Sequence, residues 1–435
     1  RFIFVVDLYN EGVDIPEVNT VLFLRPTESL TVFLQQLGRG LRLAEGKECL
    51  TVLDFIGQAN KRYRFEDKFS ALLGASAKSV QGEIRHGFPS LPKGCYIQLE
   101  RKAKQIIFDN IRSALNTRAG LISRIASFAE DSDLRLSLKN FLSHYHLDIR
   151  SIYSQGNFSR LCVDAGVISD FSEPQEELLT KAFRRICAID SQRWIEFMLH
   201  ILLDVDNARE ESLLPNEKRM LQMWQFTIWN QSAEELGFPT SLDCIRQLKR
   251  NPILYDELLD ILRYQLDNID FLWKENDLDF ECPLDLYCTY TRDQIMVALD
   301  YLKPSTVREG TRYLPEKRSD VFFVTLNKSE KEYSPTTMYN DYSINEWLFH
   351  WQSQSTTSDN SPTGQRYFNH KATGNHILLF VRQGRRDAFG NTAGYTFLGT
   401  ADYVSHEGSR PISIVWKLHQ PMPARFLRKT NQMID

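Results

Sequence analysis

The hydrophobic pattern of residues 1 to about 75 alternates between strands and a helix. Apolar runs at 2–6, 20–24 (TVLFL) and 50–55 (LTVLDF) have the length and composition of buried parallel strands. Between the last two runs, residues 29–42 place apolar side chains at helical spacing. This alternation predicts a parallel sheet with crossover helices. Because three strands are too few to cover both faces of such a sheet, we expect further strands, and further chain, before Arg1.

The pattern from about residue 78 to 285 is helical. Apolar residues recur at three- and four-residue spacings in 98–116, 176–203 and 254–273. No repeat of constant period accompanies them, so the sequence predicts an α-helical domain without indicating a solenoid.

After residue 286 the pattern becomes typical of β-structure. Runs rich in β-branched and aromatic residues occupy 321–326, 376–382, 395–398 and 412–418, with Gly, Pro, Asn and Ser between them. A helix is expected to begin near Thr291. The predicted fold class is therefore mixed, with a partial α/β domain (1–77), an α-helical domain (78–285) and a β-rich α+β domain (286–435).

Composition is that of a soluble protein with several domains. Of 435 residues, 42% are apolar and 25% charged, and no uninterrupted apolar stretch approaches the roughly 18 residues of a membrane span. We therefore expect no membrane association and no secretory signal. Seven scattered cysteines without a C-x-x-C pair favour a reducing, cytoplasmic compartment. We expect no metal site, and we interpret Cys282 and Cys288 as small buried apolar residues.

Charge is unevenly distributed along the chain. Residues 301–435 hold 17 Lys and Arg against 12 Asp and Glu, a net of +5, whereas the whole chain carries −4, which leaves −9 for residues 1–300. The segment 267–285 contains seven acidic residues against Lys274 and is typical of a solvated linker. A mildly basic C-terminal domain thus follows an acidic body.

Two motifs near the N-terminus carry candidate chemistry. The loop 11–16 (EGVDIP) follows the first strand, and QQLGRGLR ends the predicted helix. At helical spacing, Gln35, Arg39 and Arg42 share one face, and two guanidinium groups on one face suit the γ-phosphate of a nucleotide. Gly12 would let the backbone approach a ligand closely. The alternative interpretation is an ordinary surface helix with solvated arginines.

Together, NEGVDIP, LRPTESLTVFLQQLGRGLR and LDFIG resemble motifs V and VI of superfamily 2 helicases, in the branch of restriction-type translocases and their DEAD/DEAH-like relatives. The resemblance covers residues 1 to about 70, the end of a second RecA-like domain. It implies that Arg39 and Arg42 are arginine fingers supported by Gln35. It also implies that Gly12, Asp14 and Gly38 couple the nucleotide state to DNA contact.

Nucleotide-binding motifs of the first RecA-like domain are absent from the sequence. No G-x-x-x-x-G-K-[ST] occurs, nor a DExx box after a strand. ATP and Mg²⁺ are therefore expected to be bound mainly by an upstream domain, and these 435 residues alone are expected to show no ATPase.

Residues 338–367 combine aromatic with polar side chains. Aromatic rings can stack an extruded base and polar groups can recognise its edge, so six residues are candidates for a base-binding pocket: Tyr339, Asp341, Tyr342, His350, Trp351 and Ser353. Arg382 and Arg385, with Arg386 and Lys371, could contact phosphates. The alternative is that residues 347, 349 and 351 alternate like one face of a strand and belong to a core.

YNDYSINEWLFHWQSQS, TGQRYFNH, ILLFVRQGRRD and RPISIVWKLHQPMP resemble a C-terminal domain of unknown function that follows such helicase cores. In one architecture a phospholipase D-type nuclease precedes the helicase, and the protein is an ATP-dependent type IV restriction enzyme that cuts DNA with modified cytosines. The resemblance implies an SRA- or PUA-like domain that flips 5-methylcytosine. Expected partners are double-stranded DNA with modified cytosine and upstream helicase and nuclease domains of the same polypeptide, and a homo-oligomer is compatible with the sequence.

Two alternatives stay open. The chain could belong to a helicase of another defence or repair system, whose last domain recognises a DNA structure or RNA instead of a modified base. The C-terminal domain could instead be a protein-interaction module with a mostly aromatic core, for which a net charge of only +5 leaves room.

Overall fold

A computed structural model provides the structure of the chain. It describes residues 15–24, 30–42, 44–45, 47, 49–55, 117–131, 134–145, 147–269, 271, 273–307, 310–326, 341–387, 389–423 and 426–427, with scattered positions between 65 and 107. The chain divides into two compact units, Arg1–Asp148 and Ile149–Asp435. Across the described residues the fold is mixed α/β, with twelve α-helices and a large mixed sheet, which confirms the expected mixed class.

The first unit contains a parallel strand pair with its crossover helix. Strand β1 (Thr20–Phe23) and strand β2 (Thr51–Asp54) are parallel, and helix α1 (Leu30–Gly40) connects them. Phe33 of α1 packs on Phe23 of β1 with ring centroids 5.4 Å apart, because both rings face the covered side of the pair. The two strands and the helix predicted here are confirmed, whereas the strand expected at 2–6 lies outside the described residues.

Two further helices with described bounds belong to the first unit. Helices α2 (Arg118–Asp131) and α3 (Leu138–Tyr145) pack through an edge-to-face contact of Phe128 on Phe141, whose centroids are 6.0 Å apart. Of the helix expected at 98–116, only isolated positions are described.

The second unit begins with seven helices: α4 (Ile149–Tyr153), α5 (Phe158–Asp164), α6 (Glu176–Ile186), α7 (Gln192–Leu203), α8 (Pro215–Trp229), α9 (Ser241–Arg246) and α10 (Pro252–Asp267). Trp194 and Trp224 meet edge-to-face at the centre, 6.1 Å apart, and both are 1% exposed. They are core residues. The predicted helix 176–203 is instead two helices, because Ser191 caps α7 by accepting a hydrogen bond from the Trp194 amide.

A buried carboxylate joins two of these helices. The Glu257 side chain on α10 accepts hydrogen bonds from the amides of Phe158 and Ser159, at 2.6 and 2.8 Å. These amides begin α5 and have no partner within that helix. Burial raises the pKa of Glu257 even though these hydrogen bonds favour the ionised form. Glu257 therefore fixes α5 on α10.

The β-rich part starts with β3 (Thr289–Tyr290) and helix α11 (Arg292–Ala298), which Thr291 caps as the sequence predicts. The remaining elements are β4 (Thr311–Leu314), β5 (Ser319–Thr325), β6 (Tyr342–Ser343), β7 (Leu348–Gln352), helix α12 (Pro362–Phe368), β8 (His376–Arg382), β9 (Tyr395–Glu407) and β10 (Ser413–Leu418). The strands form one sheet in the order β4-β5-β8-β9-β10-β7-β6, with β3 beside β9. Among the described strands of this sheet, only β5 and β8 are paired in parallel.

Aromatic rings from the sheet and from α12 form the core of this part. Phe322 stacks on Trp351 with centroids 4.2 Å apart, and Tyr367 of α12 meets both rings edge-on. Beside them, Arg366 donates two hydrogen bonds to the buried carboxylate of Asp320 at 2.8 and 2.9 Å. Aromatic stacking and this ion pair hold α12 on the sheet.

Hydrogen bonds tie the helical part to the β-rich part. The Asp190 carboxylate accepts from the Thr289 amide at 2.6 Å, and Gln294 on α11 donates to Thr227 Oγ1 on α8 at 2.8 Å. In the segment just before β3, Ser191 donates to the buried Asp285 at 2.8 Å. Arg193 on α7 also pairs with Asp285 at 2.6 Å. Residues on both sides of the domain boundary predicted at 285 thus belong to one compact unit.

Candidate functional site

An open cleft of about 530 Å³ lies on the β-rich part and is called here the C-terminal cleft. Strands β9 and β10, the β6–β7 turn, the loop after α12 and the segment before β3 each contribute to it. Its lining residues are Asp277, Trp347, Lys371, Asp402, Tyr403, Val404, Lys417, Leu418 and His419. It therefore combines apolar surface with charges of both signs.

The sheet register explains why charged side chains reach the cleft. Lys417 on β10 pairs with Asp402 on β9 and with Leu348 on β7, while its neighbours Trp416 and Leu418 are buried. Since side chains alternate along a strand, Lys417 projects from the face opposite the core. A lysine and a carboxylate thus lie side by side on the outer face of the sheet.

Trp347 is the exposed aromatic residue of the cleft. The Asn345 side chain accepts hydrogen bonds from the amides of Trp347 and Leu348, at 2.8 and 2.9 Å, and the Trp347 carbonyl accepts one from Leu418 at 2.8 Å. These bonds fix the backbone, while the side chain remains 41% exposed. An exposed indole on a fixed backbone is a suitable surface for stacking a flat ring.

Asp402 forms the polar centre of the cleft. Its carboxylate lies 2.6 Å from Lys371 Nζ and 3.0 Å from His419 Nε2, and His419 Nδ1 is 2.7 Å from Thr400 Oγ1. Burial alone would raise the pKa of Asp402, but hydrogen bonds from Lys371 and His419 hold it below its usual value. The carboxylate is therefore ionised at neutral pH and can accept a further hydrogen bond from a ligand.

His370 is buried beside the cleft, contacts the backbone of its lining residue Tyr403, and is neutral. Its Nε2 accepts from the Tyr403 amide at 3.0 Å, so its Nδ1 carries the proton, facing the Asn375 carbonyl at 3.1 Å. Burial lowers the pKa of His370, which keeps the ring uncharged.

Two of the predicted base-binding residues lie on the same outer face of the sheet. Tyr342 and His350 are cross-strand neighbours whose rings stack with centroids 4.6 Å apart, and both are half-buried. His350 pairs with Val415, two residues before Lys417 on β10. Because side chains alternate along β7 and β10, these rings lie on the same face of the sheet as Lys417, which lines the C-terminal cleft.

Three other predicted pocket residues are buried. Trp351 is 4% exposed and stacks on Phe322, as the core alternative predicts. Ser353 is fully buried, accepting from the Ile412 amide at 2.9 Å, and Asp341 accepts from the Gln352 amide at 3.0 Å. The expected role of Trp351 as a stacking surface therefore requires correction, because its ring packs inside the core. Tyr339 lies outside the described residues.

The predicted phosphate contacts also differ in exposure. Arg382 is 9% exposed, donates to Thr325 Oγ1 at 2.9 Å and to the Ala393 carbonyl at 3.1 Å, and lies over the Tyr395 ring. Its guanidinium is thus used inside the fold, which corrects its expected role. Arg385 is exposed, and Lys371 lies in the C-terminal cleft.

In the first unit, Gln35 and Gly38 are exposed on α1. Helix α1 ends at Gly40, so Arg42, also exposed, lies beyond it, and the helical spacing that placed Arg42 on one face with Gln35 does not extend to it. Arg39 belongs to α1, but its side chain lies outside the described part, as do Gly12 and Asp14.

Sequence reasoning missed the role of Lys47. Its Nζ donates to the carbonyls of Pro16 and Arg42, both at 2.9 Å. Lys47 thus joins the ends of the two predicted helicase motifs. In the sequence, the one indication of this contact is the position of Lys47 shortly after the second motif.

The described residues contain neither a metal site nor a membrane-spanning helix. No group of three or more His, Cys, Asp or Glu side chains there has the arrangement of a metal site. The described helices include none with the length and apolar character needed to cross a membrane. Cys282 and Cys288 are buried free thiols, as expected.

Most residues of the C-terminal cleft lie in a part of the chain that is similar to a known domain family. Residues 284–429, which contain all of its lining except Asp277, match the family described as "Domain of unknown function (DUF3427)". This confirms the expected resemblance of the last third of the chain to such a domain. Over 87 residues the chain is also 33% identical to "Putative ATP-dependent helicase IRC3" of Saccharomyces cerevisiae (strain ATCC 204508 / S288c). That alignment covers 18% of this chain and 13% of the yeast protein.

Proposed function

We propose that the chain is the C-terminal part of an ATP-dependent DNA helicase or translocase, and that residues 284–429 bind DNA through the C-terminal cleft. The observation that carries this proposal is the exposed Trp347 in one cleft with Lys371 and Lys417. An aromatic platform in one cleft with ammonium groups is suited to a nucleic acid, because the ring can stack a base while the ammonium groups contact phosphates.

The motor function rests on the similarity to the yeast protein named as a putative ATP-dependent helicase. In this proposal, Arg39 and Arg42 contact the γ-phosphate of ATP, Gln35 supports them, and Gly12, Asp14 and Gly38 couple the nucleotide to DNA contact. ATP and Mg²⁺ would be held mainly by an upstream domain of the same polypeptide. ATP bound there would supply a γ-phosphoryl group, whose transfer to water would release ADP and phosphate and drive movement.

We further propose that the DNA carries modified cytosine and that the parent protein is a restriction enzyme with an upstream nuclease domain. The ionised Asp402 supports recognition of cytosine, since a carboxylate accepts a hydrogen bond from the cytosine amino group. Trp347 would stack the flipped base, and the stacked pair of Tyr342 and His350 would contact the strand beside it.

Binding to fluorescein-labelled DNA tests this proposal. The full 435-residue chain is titrated against matched duplexes with cytosine, 5-methylcytosine or 5-hydroxymethylcytosine, and against single-stranded and forked DNA. Tighter binding of a modified duplex at every salt concentration supports the modified-base proposal. Equal affinities for all duplexes would refute it, since phosphate contacts alone would explain the binding.

A helicase that recognises unpaired DNA is the second candidate. The open shape of the cleft and the exposure of Trp347 favour it, because stacking on an exposed ring accepts any unpaired base. Preference for single-stranded or forked DNA over the modified duplex would select this function.

A further inference from the structure

The acidic linker before the β-rich part crosses one end of the sheet. Residues 275–281 (ENDLDFE), called here the acidic strap, contain four carboxylates and no basic residue. They follow α10 and precede β3. The sequence predicted a solvated linker, whereas the structure gives the strap specific contacts.

Hydrogen bonds and one aromatic contact hold the strap in place. The Asn276 side chain donates to the carbonyls of Cys282 and Leu284, at 3.0 and 2.8 Å, which folds the strap back on itself. Phe280 packs edge-on against His376 with centroids 5.8 Å apart, and Lys317 Nζ lies 5.2 Å from the centre of its ring. The strap thus has a defined path over the first residues of β8.

The two inner carboxylates of the strap face histidine and arginine side chains of the β-rich part. Asp277 lies 3.8 Å from His419 Nδ1, and Asp279 lies 2.8 Å from His376 Nε2 and 3.7 Å from Arg318. Both carboxylates are at least half exposed, so water screens these contacts.

The two outer carboxylates face the helical part. Glu275 and Glu281 lie 3.5 and 3.6 Å from Arg193 and Arg219, respectively. Both arginines also have closer carboxylate partners, at 2.6 and 2.7 Å. The ends of the strap are therefore attached to the helical part, and its middle to the β-rich part.

Asp277 also lines the C-terminal cleft together with Lys371 and Lys417. A carboxylate there repels a phosphate that approaches the two lysines and occupies the His419 side of the cleft. We propose that the acidic strap is an intramolecular competitor of the DNA backbone, which must be displaced before the cleft binds DNA fully. This inference rests on the proposed DNA-binding function and describes the regulation of the same site.

Neutralising the two inner carboxylates tests the inference. The variant Asp277→Asn/Asp279→Asn is compared with the control Glu211→Gln/Glu234→Gln, which removes the same charge from exposed positions of the helical part. At low salt the strap variant should bind a labelled duplex about three- to tenfold more tightly than wild type. The control should differ from wild type by less than about twofold, because screening weakens distant charges. Equal affinities of the strap variant and the control would overturn the inference.

A third variant separates strap position from charge. Asn276→Ala loosens the strap without changing net charge and should also tighten DNA binding, with thermal melting confirming that the variant is folded. Unchanged affinity in folded Asn276→Ala would count against displacement of the strap.

Failure of the proposed function gives a different result. If Lys371→Ala/Lys417→Ala binds DNA as wild type does, or if wild type and the strap variant both fail to bind, the cleft is not the DNA site and both proposals fall. If the lysine variant loses DNA binding while the strap variant and its control bind DNA with the same affinity, only the strap inference is refuted.

Discussion

Substitution by alanine should strongly lower the stability of the protein at one of two tryptophans four residues apart, and should leave it almost unchanged at the other. Trp351 is 4% exposed and stacks on Phe322 at 4.2 Å, whereas Trp347 is 41% exposed in the C-terminal cleft. Removing a large aromatic side chain from a packed core costs about 3–5 kcal/mol of unfolding free energy, and an exposed substitution about 0.5 kcal/mol or less. Trp351→Ala should therefore be strongly destabilised and Trp347→Ala should keep nearly wild-type stability.

The same pair should separate stability from DNA binding. Loss of one stacking platform costs about 1–3 kcal/mol, so Trp347→Ala should raise the Kd for DNA roughly 5- to 150-fold. Urea unfolding followed by circular dichroism measures stability, and fluorescence anisotropy measures the Kd. If Trp347→Ala lost as much stability as Trp351→Ala, or if Trp351→Ala were as stable as wild type, the assignment of core and surface would be refuted.

Further predictions concern buried polar groups and nucleotide turnover. Glu257→Ala should lower the free energy of unfolding in urea by roughly 2–5 kcal/mol, because two helix-terminal amides lose their acceptor. The control Asp260→Ala, at an exposed position of the same helix, should lower it by less than about 0.5 kcal/mol. Equal losses in the two variants would contradict the capping role of Glu257. Arg366→Ala should destabilise by about 3–5 kcal/mol because Asp320 is left buried without its partner, and a wild-type urea midpoint would refute this. Burial lowers the pKa of His370, so below about pH 6.5 the unfolded chain binds more protons at this residue than the folded chain does. The free energy of unfolding should therefore fall as the pH drops through this range, and the fall should be smaller in His370→Gln. The purified chain should release no phosphate from ATP, and steady turnover would show that it holds a complete nucleotide site.

The main strands and helices could be predicted because their local pattern agrees with their environment. The run 376–382 is buried along its whole length after the first residue, and the structure places β8 there. Helix α12 was not predicted, because its Pro-Thr-Gly start has weak helix propensity. Contacts distant in sequence stabilise it instead, chiefly Tyr367 in the core and Arg366 on Asp320.

The candidate site was predicted less well than the fold for two physical reasons. Alternation along 347–351 suggests one face for three aromatic residues, yet β7 begins at Leu348, so Trp347 belongs to the preceding turn and is exposed. Lys371, Asp402 and His419 come from separate segments, and only the pairing of β9 with β10 and the position of α12 bring them together. Sequence patterns do not report such long-range proximity.

The affinity of a double lysine variant for DNA tests the central claim most directly. Lys371→Ala/Lys417→Ala is compared with Lys181→Ala/Lys249→Ala, which removes the same charge from exposed positions of the helical part. If the C-terminal cleft binds DNA, the cleft variant should bind roughly tenfold more weakly than wild type at low salt, with a shallower salt dependence, and the control should stay within about twofold. Equal affinities of the cleft variant, the control and wild type would contradict the account.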